Sequence, residues 1–172
     1  ELWRQEFPYK VSTAASPVVA GDLVYCSAGY GVGAGLYKIN KRGSKFSSSQ
    51  VWRKPNDVIN HWSTPVYHDG HLYGMFSFKK YGDGPLQCVE LKTGRVKWSE
   101  DGYGPGNVIL AGKHLLALSD KGELSIVKAS SSHYQEVGRK KLISEKCWST
   151  PTLSEGKVLV RSTEEAICLN VK

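Results

Sequence analysis

The chain has 172 residues, a net charge of +7 and four cysteines. That is the size of one domain with a real core, and 40% hydrophobic against 23% charged residues is an ordinary globular balance without low-complexity tracts. The longest apolar runs are only a few residues, far short of the roughly 18–20 that a membrane-crossing helix needs, and no signal peptide is visible.

Taken in chain order, the sequence opens on ELWRQEF, residues 1–7, which reads as the inside of a strand. The expectation is therefore that the true N-terminus lies elsewhere. SPVVAGDLVYC follows, two apolar runs hinged on Gly21, then the glycine-rich GYGVGAG (29–35), then GLYKIN (35–40) and QVWR (50–53). The next stretch is HWSTPVYHDGHLYG (61–74), hinged on Gly70, with LQCVEL (86–91) and RVKW (95–98) after it. YGPGN (103–107) leads into NVILAGKHLLAL, hinged on Gly112, then ELSIVK (123–128) and QEVGRKKLI, which lacks a tryptophan. Last come CWSTPTLSEGKVLV (147–160), hinged on Gly156, and AICLNV (166–171).

Each hinge glycine lies between short apolar runs, as in a β-hairpin whose turn needs a positive φ. The hinges are 49, 42 and 44 residues apart, and W-S-T-P occurs at Trp62–Pro65 and again at Trp148–Pro151, 86 residues on. A unit of about 43 residues with four short strands is the signature of a propeller blade. The expected fold is all-β, a β-propeller of four-stranded antiparallel blades. Blades fall at approximately 15–54, 63–100, 106–144 and 149–172, with 1–7 as an outer strand of a neighbouring or closing blade. Pro17, Pro65 and Pro151 suit the start of an innermost strand, where no ladder donor is needed. Trp3, Trp52 and Trp98 mark outer strands that bridge neighbouring blades.

CVELKTGRVKW (88–98) resembles the pyrroloquinoline-quinone-like repeat, A-x-D-x-x-T-G-x-x-x-W: Thr93, Gly94 and Trp98 match, with Cys88 at the alanine and Glu90 at the aspartate. The first unit keeps Gly43 but not the threonine, and delays its tryptophan to Trp52. The whole chain resembles the C-terminal half of bacterial exported propellers of this family, related to an outer-membrane assembly lipoprotein. The resemblance implies eight blades on about twice this length and a periplasmic or cell-envelope location. Residues 1–7 either close the last blade in cis, making a four-bladed ring, or belong to a larger ring completed by a missing segment or a partner chain. The second reading is preferred, because an exposed half-ring edge demands a partner.

The family's enzymes hold the quinone with calcium, an aspartate base and adjacent cysteines. This chain has no adjacent cysteines, and Asp22, Asp57, Asp69, Asp83, Asp101 and Asp120 sit mostly in turns without a calcium-ligand series. No cofactor is therefore expected; pyrroloquinoline quinone with calcium is the alternative, which would make the chain half of a dehydrogenase. GYGVGAG runs into a strand rather than a helix, so it reads as a hairpin loop and not a phosphate cradle. His68 and His71 flank one bend with no third ligand evident, so no metal site is assigned. Cys26, Cys88, Cys147 and Cys168 lack CxxC spacing; buried free thiols are expected in the strand patterns.

Basic residues fall in small groups, such as Lys38, Lys41, Arg42 and Lys45, Arg53 and Lys54, Lys79 and Lys80, and Arg139–Lys141. Placed at strand ends and in loops, they argue against nucleic acid. The site expected instead is a rim at the inner-strand entries, made by Tyr30, His61, Trp62, Cys147 and Trp148. The function expected is non-catalytic binding or scaffolding, with a glycan-binding rim as a further alternative.

Overall fold

The computed structural model describes residues 1–11, 13–76 and 84–171. Lys79, Lys80 and Asp83 lie outside the described residues. Among those described there is no helix, so none long and apolar enough to cross a membrane. The strands form four antiparallel sheets in chain order. Sheet A holds β1 (Val18–Ala20), β2 (Leu23–Ala28), β3 (Gly33–Arg42) and β4 (Lys45–Lys54). Sheet B holds β5 (Val66–His68), β6 (His71–Met75), β7 (Leu86–Glu90) and β8 (Arg95–Glu100). Sheet C holds β9 (Asn107–Ala111), β10 (His114–Leu118), β11 (Glu123–Lys128) and β12 (Glu136–Lys141). Sheet D has three strands, β13 (Thr152–Ser154), β14 (Lys157–Arg161) and β15 (Ala166–Asn170), leaving β15 at its edge. This is the expected all-β blade arrangement.

Strand register gives the four sheets equivalent positions about their first turn. Leu23, His71, His114 and Lys157 each open the second strand, opposite Ala20, His68, Ala111 and Ser154. Those positions are 48, 43 and 43 residues apart. The hinge glycines looked less regular because glycine takes the first turn position in sheets A and C and the second in B and D. In B and D the other turn residue, Asp69 or Glu155, also has a positive φ (44° and 49°), which is the two-residue I′ hairpin geometry. The first unit differs in its longer β3 and β4, each 10 residues against 5 and 6 in β7 and β8.

Two further details recur. The residue after the one that faces the start of the second strand returns its N–H to the first turn in every sheet: Ile39 to Asp22, Leu91 to Gly70, Ala129 to Lys113 and Val171 to Gly156. In sheets A, B and C the third and outermost strands shift register after equivalent residues, Leu36, Cys88 and Ile126. A bulge there adds right-handed twist.

The core is three clusters, one at each junction between sheets. Tyr25 and Leu36 of sheet A meet Leu72 and Val89 of sheet B. Tyr73 and Cys88 of sheet B meet Val108, Leu115 and Val127 of sheet C. Leu116 and Leu118 of sheet C meet Val158 and Val160 of sheet D. Trp52 and Trp98 bridge the first two junctions as expected: their indole N–H groups donate to Leu91 O (3.0 Å) and Ser130 O (2.7 Å) of the next sheet. Thr93 donates to the Glu90 carboxylate and accepts from Arg95 N–H, and Gly94 N–H donates to Glu90 O, which ties the turn that Trp52 packs on. The Trp52 ring lies against Gly94, where a Cβ would sit 3.3 Å from it.

Residues 1–7, expected as an outer strand of a neighbouring or closing blade, pair with no strand among the described residues. They lie over the face of sheet A that no other sheet covers. Phe7 packs edge-on to Tyr37 (6.3 Å) under Arg53 (4.9 Å), and Ser48 donates to Gln5 (2.9 Å). Trp3 lines a groove of about 370 Å³ with Pro17, Val19, Val24, Cys26 and Tyr37. Among the described residues no strand extends them into a ladder; ring packing and the Ser48 hydrogen bonds hold them on sheet A.

Candidate binding rim

The prolines Pro17, Pro65 and Pro151 stand immediately before β1, β5 and β13, as their missing N–H allows. The segments ahead of them converge, because each innermost strand begins beside the next. Ala14 and Ala15 N–H groups donate to His61 O, the Trp62 indole donates to Pro105 O (3.3 Å), and Asn107 Nδ2 donates to Trp148 O (2.8 Å). All four entries are thus laced together in chain order.

On this lacing sits a row of rings. Tyr30, on the β2–β3 loop with φ 56°, meets His61 edge-on at 4.9 Å. His61 meets Trp62 at 4.8 Å, and Trp62 lies 5.1 Å from Trp148 with 34° between the ring planes. Lys146 caps the far end, its ammonium 4.9 Å over the Trp148 ring. Separations of this size are those of favourable aromatic and cation–π pairs. Tyr30 is 50% exposed and Trp148 39%.

Four of the five residues expected at the rim are brought together in this row. Cys147 is not: it is fully buried among Leu116, Leu118, Ile143 and Val160. Its backbone N–H donates to Asp120 O, which turns the side chain inward, and burial pushes the thiol pKa up. His61, its counterpart, is also inside, 9% exposed. A Cβ on Gly29 would fall 2.5 Å from the His61 ring, so only glycine admits this approach. Burial lowers the His61 pKa, favouring the neutral imidazole. The surface available to a partner is therefore Tyr30 and Trp148, with His61 and Trp62 as their support.

A hollow of about 220 Å³ beside Trp148 was not foreseen. It is lined by Lys146, Ser149, Arg161, Ser162 and Thr163. Ser149 and Arg161 meet because β13 and β14 pair, and Ser149 Oγ donates to Arg161 O (3.3 Å). No spacing in the sequence marks that meeting.

The remaining candidates are local. His68 and His71 face each other across the β5–β6 turn, and both approach Asp69. Among the described residues no three His, Cys, Asp or Glu side chains gather as a metal site. The cysteines are free; Cys88 and Cys147 are buried, but Cys26 is half-buried and Cys168 exposed, against the expectation for strand cysteines. Of the basic residues, Arg53 donates to Ala34 and Val32 carbonyls, Lys38 pairs with Asp22, and Arg139 chelates Glu136.

A family described as outer membrane protein assembly factor BamB matches residues 1–105. Comparison with curated protein sequences gives no match. Among solved structures, the fold is similar to BamB from Moraxella catarrhalis, with TM-score 0.62 and 11% identity over 90% of this chain and 41% of that one. It is similar to the computationally designed Ika4 protein, with TM-score 0.70 and 10% identity over 100% of this chain and 98% of that one. The computationally designed Ika8 protein gives TM-score 0.67 and 10% identity over 99% of this chain and 49% of that one. The chain thus spans less than half of the BamB chain it matches.

Proposed function

The chain belongs to the family described as outer membrane protein assembly factor BamB, and we propose that it is a non-catalytic binding or scaffolding propeller of the bacterial cell envelope. It recognises a protein partner through the rim that Tyr30 and Trp148 present. The observation that carries this reading is the unbroken row Tyr30–His61–Trp62–Trp148, anchored on four interlaced sheets and ending in two exposed rings. Rigid aromatic side chains set on a packed scaffold are what binding hot spots use. Lys146 and Arg161 add positive charge at one end, which favours an acidic partner segment. Further sheets complete the ring around these four, and the protein is exported to the periplasm. It acts without a cofactor.

Photo-crosslinking residues placed at Tyr30 and Trp148, in cells of the source bacterium, test the reading. The expected result is capture of the same envelope protein from both positions, lost when the other ring is changed to alanine. No adduct at either position in a folded protein would overturn it. So would dye reduction with an alcohol or sugar after adding pyrroloquinoline quinone and calcium. The hollow beside Trp148, with one ring face, three hydroxyls and two cations, favours a second reading, a glycan site. Saturable binding of an acidic cell-wall oligosaccharide, lost in both Tyr30→Ala and Trp148→Ala, would replace the protein partner with a sugar.

A further inference from the structure

We infer that the face of the propeller opposite the rim docks on an anionic lipid bilayer, with the long β3–β4 hairpin as its leading contact. The inference does not depend on what the rim binds.

Each sheet is an antiparallel meander, so its first turn and its third-to-fourth-strand connection lie at the end away from the strand entry. Charge is divided unevenly between these two ends. Sheet A brings Lys38, Lys41, Arg42 and Lys45 to the turn end, against Asp22. Sheet B brings Lys92 and Arg95, against Asp69 and Glu90. Sheets C and D add Lys113, Lys128 and Lys157, against Glu155. Among the described residues of this end, nine cations thus meet four carboxylates, an excess of five in a chain whose net charge is +7.

The carboxylates are mostly taken. Asp22 meets Lys38 at 3.3 Å, Asp69 meets His68 at 3.4 Å, and Glu90 accepts from Thr93 with Arg95 at 3.9 Å. Lys41, Arg42 and Lys45 are exposed, as are Lys92, Lys113, Lys128 and Lys157, and among the described residues none of them pairs with a carboxylate. At the rim end the balance differs: Asp57, Glu100, Asp101, Glu145, Glu164 and Glu165 stand among the cations there. The excess belongs to one face.

The longer first unit gives that face its shape. Lys38 faces Leu23 at the start of β2, yet β3 and β4 continue through four more pairs, from Ile39–Ser48 to Arg42–Lys45. At about 3.3 Å per residue, this two-stranded ribbon runs roughly 13 Å past Leu23. In sheet B only Leu91–Gly94 separate the equivalent pair, Glu90 and Arg95. At the tip, Arg42 and Lys45 stand directly opposite each other, and the Lys41 ammonium sits 5.4 Å over the Phe46 ring. Like charges directly opposite destabilise a strand pair, and an anionic surface relieves that cost. Cations spread over four sheets, with a cationic and aromatic tip ahead of them, match an extended anionic plane rather than a single bound group. Basic side chains at anionic headgroups, with an apolar group among them, are a general means of peripheral membrane attachment.

Co-sedimentation of the 172-residue chain with vesicles tests this, using phosphatidylcholine with and without one part in four of phosphatidylglycerol. Binding is expected to the anionic vesicles alone. It is expected to fall at least tenfold between about 0.05 and about 0.5 M salt, where exposed charges become screened. Lys41→Glu with Arg42→Glu and Lys45→Glu, all exposed on the ribbon, is expected to lose binding at least tenfold. Lys121→Glu with Lys140→Glu and Lys141→Glu makes the same charge change at exposed positions of the rim end, and is expected to stay within about twofold. Lys92→Glu with Lys113→Glu, on the turns of sheets B and C, is expected to weaken binding at least threefold. Equal losses from the two triple variants would reduce the effect to net charge and overturn the inference. So would binding that ignores phosphatidylglycerol. Capture by polyglutamate without capture by vesicles would overturn it too, and would make the partner an acidic protein. Photo-crosslinking at Tyr30 and Trp148 reads the rim separately, so failure of either result leaves the other standing.

Discussion

Sheets B and D start from the same four residues and end in different surroundings. Trp62 and Trp148 both follow a buried residue and both precede a serine, a threonine and a strand-opening proline. Yet Trp62 is half-buried, with its indole N–H on Pro105 O, while Trp148 is 39% exposed under Lys146. Tyr73 and Leu159 tell the same story deeper in the sheets, 1% against 47% exposed at one register position. The tetrapeptide specifies how the chain enters a sheet; the neighbouring sheet decides whether its side chains become cement or surface.

The sharpest way to break that comparison is to truncate the equivalent pair. Tyr73→Ala is expected to cost about 3–5 kcal/mol, the range for removing a buried aromatic side chain. Leu159→Ala is expected to stay within about 0.5 kcal/mol. Urea unfolding measures both, and equal losses would mean that the face of sheet D is already covered. A smaller effect tests the bridge between sheets. Trp98→Phe keeps most of the packing but strands the Ser130 carbonyl, at about 1–3 kcal/mol; its urea midpoint falls with an unchanged slope.

The smallest effect sharpens the rim. Burial holds the His61 pKa below its unfolded value of about 6.5. The unfolded chain then takes up the proton first, so the contribution is complete above that value and fades as pH falls through the lower folded pKa. Stability of the wild type relative to His61→Gln is expected to decline between pH 7.5 and 5; a flat difference would show that the imidazole titrates as freely in the folded protein.

Much of the fold was readable one unit at a time. Hairpin turns at Gly21, Gly70, Gly112 and Gly156 all carry positive φ, and Trp52 and Trp98 bridge to the next sheet as their pattern implied. The rim was readable only in part. The neighbours Cys147 and Trp148 could not be told apart as inside and outside, because alternation is interrupted where a strand has not yet begun. Lys146, Ser149 and Arg161 could not be grouped at all, since a hairpin and a cation–π contact bring them together. Cys168 has an apolar setting in sequence that matches Cys88, but among the described residues no further sheet packs on it.

Periodicity, turn chemistry and the placement of proline are local, and a strand of five residues expresses them wherever it sits; these carried the four sheets and their order. Burial is a property of pairs of sheets, because one face of a blade is shielded only by another blade some 43 residues away in the chain. So the seat of residues 1–7 on sheet A and the inward turn of Cys147 were decided by packing, where no run of letters records which neighbour will be there.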